Sequence, residues 1–168
     1  FEGCTRGTHR RVGRASLRTQ GCEPSSKELQ TFLNDAKDVL AHSVRSLDDD
    51  EIILVGNALS TVISEREYVC HASAVMPDHV HLLIRRHRDR AEEMIGRFRK
   101  NAKAALIQAG KRPVNHPVWT DGAGWKRFVN SRRQFECEIE YIRQNPIKIG
   151  RPRQEWDFVL PYDGWMPE

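Results

Sequence analysis

With 168 residues, 39% of them hydrophobic and 30% charged, the chain is long enough to bury one core, and a single domain over 1–168 is expected. No apolar run approaches the ~18 residues of a membrane span, the basic N-terminus carries no export-signal pattern, and four widely spaced cysteines without a C-x-x-C pair argue for free thiols in a reducing cytoplasm. The net charge of +4 conceals a basic centre, with fourteen basic and four acidic residues over 85–133, which fits a polyanion partner or, equally, a solvated helix face.

Residues 1–22 are basic and of unassigned role, with a loosely alternating first strand at 12–19, "VGRASLRT". "PSSKELQTFLNDAKDVLAHSV" opens on a serine cap signal and places Leu29, Phe32, Leu33, Ala36, Val39 and Leu40 on one helical stripe. "LDDDEIILVGNALSTVISER" predicts a second helix, its acidic residues gathered where the helix dipole favours them. Residues 67–76 predict a strand, Pro77 and Asp78 a tight turn, and residues 79–85 its hairpin partner. "DRAEEMIGRFRKNAKAALIQAG" is an amphipathic helix ended by Gly110. Short strands are expected around "PVWT" and "WKRFVN", and then a helix over "SRRQFECEIEYIRQN", capped by Ser131 and stopped by Pro146. This order predicts an α+β fold in which helices pack on an antiparallel sheet.

Two stretches hold residue types that carry chemistry. In "MPDHVHLL", His79 and His81 are two apart on a strand, so both imidazoles project from one face and can converge on one ion. The same pattern also describes two half-buried polar residues at a sheet edge. In "EYIRQNP", Phe135, Ile139 and Ile142 form the buried stripe, Tyr141 lies beside it, and Asn145 follows one turn later. A phenol there is an amphipathic packing residue or, with an oxygen-bearing neighbour able to complete a metal shell, a nucleophile.

"MPDHVHLL" followed by "YIRQNP" and "IKIG" resembles the REP-associated tyrosine transposases, a branch of the insertion-sequence transposases with a His-hydrophobic-His motif and a single catalytic tyrosine. The resemblance covers about residues 67–150. It implies that His79, His81 and Asn145 bind a divalent metal, Mn²⁺ or Mg²⁺. It implies that Tyr141 attacks DNA to give a 5′-phosphotyrosine, and that the sheet is ferredoxin-like. The implied activity is a single-stranded DNA transposase or nicking endonuclease acting at hairpin or palindromic repeats. A nucleoid-associated monomer or homodimer is expected.

Cations suited to tracking phosphates are Arg85, Arg86 and Arg88 after the histidine strand, and Arg97, Lys100 and Lys103 along one helix face. Lys126, Arg127, Arg132 and Arg133 flank the tyrosine helix. Trp125, beside glycine and lysine, is a candidate for base stacking, whereas Trp119 reads equally well as a core anchor. No G-x-x-x-x-G-K-[ST] loop is present, consistent with strand rejoining that consumes no nucleotide. Three rivals remain: a non-catalytic DNA-binding module of the same fold, a nuclease using metal-activated water, and a relative of the replication initiators and relaxases.

Overall fold

The computed structural model describes residues 45–119 and 124–166, which belong to one compact unit, Arg45–Glu168. The expected strand at 12–19, the helix expected from Pro24 to Val44 and the basic segment 1–22 lie outside the described residues. Within them the fold is α+β. Helix α1 (Asp49–Arg66) leads into an antiparallel hairpin of β1 (Cys70–Val75) and β2 (Val80–Ile84), followed by α2 (Ala91–Gln108) and α3 (Arg132–Lys148). None of these helices is long and apolar enough to cross a membrane.

The hairpin is a middle layer with helices on both faces. Val80, Leu82 and Ile84 of β2 pack into the core that α1 and α2 share, built on Val55, Leu59, Val62, Met94, Phe98 and Leu106. Leu83 points the other way, into a second core made by Phe135, Ile139 and Ile142 of α3 with Ala72, Ala74 and Met76. Alternation along a strand gives this division directly. It also puts His79 and His81, which share parity with Leu83, on the α3 face. A bulge between Cys70 and Ala72 shifts the register of β1, so that Cys70 faces the first core and Ala72 the second. The small side chains of Ala72 and Ala74 leave room for the bulky stripe of α3.

Local signals set the helix starts. Asp48 and Glu51 form a reciprocal capping box at α1, with bonds of 2.8 and 2.9 Å. Ser131 accepts from the Gln134 amide at α3. Two expectations are corrected. Pro146 does not stop α3, which runs on to Lys148. A proline in the last turn forfeits one backbone hydrogen bond, and its ring is fully buried here. Among the described residues the segments around "PVWT" and "WKRFVN" are not strands. Residues 124–128 are exposed, with Gly124 in a left-handed conformation (φ 74°), so no face is offered for a sheet to bury.

The chain after α3 returns across the hairpin. The Gln154 carboxamide accepts from the Val75 amide and donates to the Val75 carbonyl, both at 2.8 Å, standing in for a neighbouring strand. Further on, Leu160 donates to the Cys70 carbonyl at 2.8 Å, beside a parallel bridge from Cys70 to Val159. Trp156 lies over Gly56 so closely that a Cβ there would stand 2.1 Å from the ring. These contacts cover the edge of β1 that β2 does not use.

Beside the first core lies a buried ion pair. Arg112 grips Glu51 through both guanidinium ends and also donates to the Ser46 carbonyl at 3.2 Å; both side chains are almost completely buried. Arg112→Met removes the partner and leaves a carboxylate in the core, which is expected to cost about 3–5 kcal/mol in urea denaturation. A loss below about 1 kcal/mol would show that Glu51 finds water or another partner.

Candidate active site

The turn at Pro77 and Asp78 is closed by a 2.8 Å bond from the Met76 amide to the His79 carbonyl. This fixes where β2 begins and so fixes the parity of everything after it. His79 and His81 leave the same face, with ring centroids 4.6 Å apart and Nε2 atoms 2.8 Å apart. On the other side of His79, Nδ1 lies 2.7 Å from the Asp78 carboxylate. A carboxylate on one ring nitrogen holds a proton there and leaves the other nitrogen as a lone-pair donor. The orientation of His79 is therefore set by its neighbour in the turn.

His81 is half-buried between the hairpin and α3. Burial is the main cause that pushes its imidazole pKa down to about 4, assisted by the neighbouring His79 and by Lys148, and opposed by Asp78. At neutral pH the ring is uncharged, the form that ligates metals.

Helix α3 packs on both strands and brings Tyr141 to this pair. The Tyr141 ring stands edge-on to His81, centroids 5.8 Å apart and planes at 83°. It is 49% exposed, so its hydroxyphenyl face is open to a ligand from solvent. The Lys148 ammonium lies 4.4 Å from the centre of the same ring. Asn145, one turn beyond Tyr141, is buried, and its amide nitrogen has no hydrogen-bond partner among the described residues. A buried amide donor without a partner is costly, and what this one lacks is a hydrogen-bond acceptor.

The spacing of the two imidazole nitrogens is compatible with a divalent ion. Ligands about 2.1 Å from a six-coordinate ion stand about 3 Å apart on adjacent positions, close to the 2.8 Å between the two Nε2 atoms. Imidazole nitrogens suit zinc, and a carboxamide oxygen suits Mn²⁺ or Mg²⁺. Among the described residues no group of three or more His, Cys, Asp or Glu is placed to hold a metal ion, at the histidine pair or elsewhere.

The expected DNA-tracking cations divide into two groups. Arg85 pairs with Asp163 at 3.3 Å and lies over the Trp165 ring at 4.2 Å, and Arg97 pairs with Asp89 at 3.6 Å. Lys126 is bound to Glu92, Arg127 to Glu138, and Arg132 to Glu136. Exposed ion pairs of this kind are weak, so a phosphate competes for these cations rather than finding them free. Arg86, Lys100 and Lys103 have no such partner among the described residues, while Arg133 takes part in an interaction within the chain. Trp125 is 81% exposed, as a stacking ring must be. Trp119 is partly buried against the first core and donates to the Arg99 carbonyl, so it is an anchor.

Three side chains at or near these positions are not marked by the sequence. Lys148 lies beyond Pro146, where a helix is expected to have ended; with the helix extended, residues 141, 145 and 148 follow the i, i+4, i+7 rule of one face. Asp78 reads from sequence only as a turn former. Trp165 lies eighty residues from Arg85, and no local pattern links them.

His81 generates a direct test. In chelator-treated protein its ring resonance is expected to titrate near pH 4, and a midpoint near 6.5 would contradict the burial described above. Because the unfolded chain takes up this proton at higher pH than the folded one, the site loses stability as pH falls from about 6.5 through about 4.

Compared with protein-family models, curated proteins and solved structures, the chain matches none.

Proposed function

We propose that this protein is a metal-dependent enzyme that cuts and rejoins single-stranded DNA through a 5′-phosphotyrosine bond to Tyr141. The observation that carries the reading is the placement of the Tyr141 ring 5.8 Å from His81, next to two imidazole nitrogens that converge at 2.8 Å. His79, His81 and Asn145 are the residues to hold the ion, Mn²⁺ or Mg²⁺. When bound, it supplies charge neutralisation on the oxygens of the scissile phosphate.

The chain's own residues do the rest. The Tyr141 oxygen bonds to phosphorus and gives up its proton, while the bond from phosphorus to the 3′ oxygen breaks and that oxygen leaves as a hydroxyl. Tyrosine is a weak nucleophile at neutral pH, and the Lys148 ammonium over its ring is placed to meet the charge of an incoming phosphate. Asp78 orients His79. The phosphodiester energy is kept in the phosphotyrosine, so a 3′-hydroxyl can reverse the reaction without a nucleotide cofactor.

A ferredoxin-like sheet belongs to the same proposal. Among the described residues β2 pairs only with β1, so its second edge has backbone groups suited to a further antiparallel strand. A nucleoid-associated protein acting at hairpin or palindromic repeats, as monomer or homodimer, completes the reading.

The test is a denaturant-resistant adduct on incubation with single-stranded hairpin DNA and Mn²⁺ or Mg²⁺. The adduct is expected to vanish in Tyr141→Phe and with chelator. Asp78→Ala is expected to weaken metal binding by about 10- to 100-fold. Cut DNA without adduct, persisting in Tyr141→Phe, would indicate a nuclease that uses water. Retention of DNA with neither cut nor adduct would indicate a binding module.

A further inference from the structure

The far end of the hairpin opens into a groove of about 620 Å³ lined by Glu67, Arg86, His87, Arg88 and Trp165. It is separate from the histidine pair: the five residue steps of nearly extended chain from His81 to Arg86 span roughly 16 Å. Arg86 and Arg88 are exposed, and neither has an ion-pair or hydrogen-bond partner among the described residues. Two guanidinium groups left unpaired in one groove form an anion site by charge alone.

The rest of the groove is built to hold its shape. His87 Nδ1 accepts from the Asp89 amide at 3.0 Å, so the neutral ring carries its proton on Nε2 as a donor. The ring stands edge-on to Tyr68, centroids 4.8 Å apart, and the Tyr68 hydroxyl donates to Asp89 at 2.6 Å. Trp165 is steadied by Arg85 at 4.2 Å and by its own amide, which donates to Asp163 at 2.9 Å. Glu67 ends α1 in a left-handed conformation, φ 56° and ψ 35°. Glycine ordinarily fills such a position, yet here it holds a carboxylate at the groove wall.

We infer that this groove takes one nucleotide of a single DNA strand, a few nucleotides from the strand-transfer site. Its phosphate lies on Arg86 and Arg88, its base packs against Trp165, and the exocyclic amine of the base donates to Glu67. Arginine pairs with phosphate in a fork, indole offers a surface to any base, and a carboxylate accepts from the amino group of cytosine. Thymine has a carbonyl oxygen at that position, which the carboxylate repels. The groove therefore discriminates between bases as well as anchoring the strand. This inference takes single-stranded DNA from the proposed function, but it needs neither metal nor Tyr141.

The experiment measures equilibrium binding of the full chain to fluorescent oligo(dC) and oligo(dT) of about twelve nucleotides, with chelator present and over a range of salt. Arg86→Ser with Arg88→Ser is expected to weaken binding and flatten the dependence of log affinity on log salt by about 0.7 for each phosphate that the variant no longer neutralises. Trp165→Leu is expected to weaken binding of both oligonucleotides by roughly tenfold. Glu67→Gln, which keeps the backbone demand of the residue, is expected to abolish the preference for oligo(dC). An unchanged salt slope in the arginine variant, or an unchanged base preference in Glu67→Gln, would overturn the inference, as would wild-type protein that binds neither oligonucleotide. An adduct assay on the same protein, with single-stranded hairpin DNA and with Mn²⁺ or Mg²⁺ in place of the chelator, separates the two claims. Binding that depends on these residues without adduct formation upholds the groove and refutes the strand-transfer reading.

Discussion

Everything at the candidate site depends on the register of one hairpin. The 2.8 Å bond from the Met76 amide to the His79 carbonyl closes a two-residue turn, and from that point strand alternation leaves no freedom. Even-numbered β2 residues enter the core of α1 and α2, and odd-numbered residues face α3. A slip of one residue would drive both imidazoles into an apolar core and send Val80 and Leu82 toward α3. The apolar demand of two cores, one on each face, thus holds the two histidines in place more firmly than any bond the histidines make themselves.

The second constraint comes from α3. Its Phe135, Ile139 and Ile142 stripe must meet Ala72 and Ala74, and that docking fixes the rotation of the helix. Tyr141 is then carried to the rim of the interface, half-exposed and beside His81, while Asn145 is carried inside. The unpartnered Asn145 amide and the partly desolvated His81 work against stability. The packing of the two cores and the Glu51–Arg112 pair offset them elsewhere in the unit. The same rim holds a phenol, a cation and a pair of imidazole nitrogens.

Legibility in the sequence follows the range of the interaction. The capping box at Asp48 and Glu51, the cap at Ser131, the turn at Pro77 and Asp78 and the stripe on α3 are local, and each is readable from spacing. The parity argument for His79 and His81 is also local. The continuation of α3 through Pro146 is not, because it depends on the burial of the proline ring in tertiary contacts. That one boundary conceals Lys148. The pairing of several basic side chains with carboxylates is equally invisible, since Lys126 and Glu92, or Arg85 and Asp163, meet only through the fold. Counting charges marks the basic segment, yet it does not separate engaged cations from Arg86 and Arg88, which have no partner among the described residues.

The central claim is that the hairpin and α3 together make one metal site with Tyr141 at its edge. Paramagnetic broadening by Mn²⁺ tests it most directly. The account predicts that a single equivalent of Mn²⁺ selectively broadens the ring resonances of His79, His81 and Tyr141, and that His81→Ala removes the effect. Broadening centred on other residues, or broadening of the histidines that leaves the Tyr141 ring sharp, would contradict it.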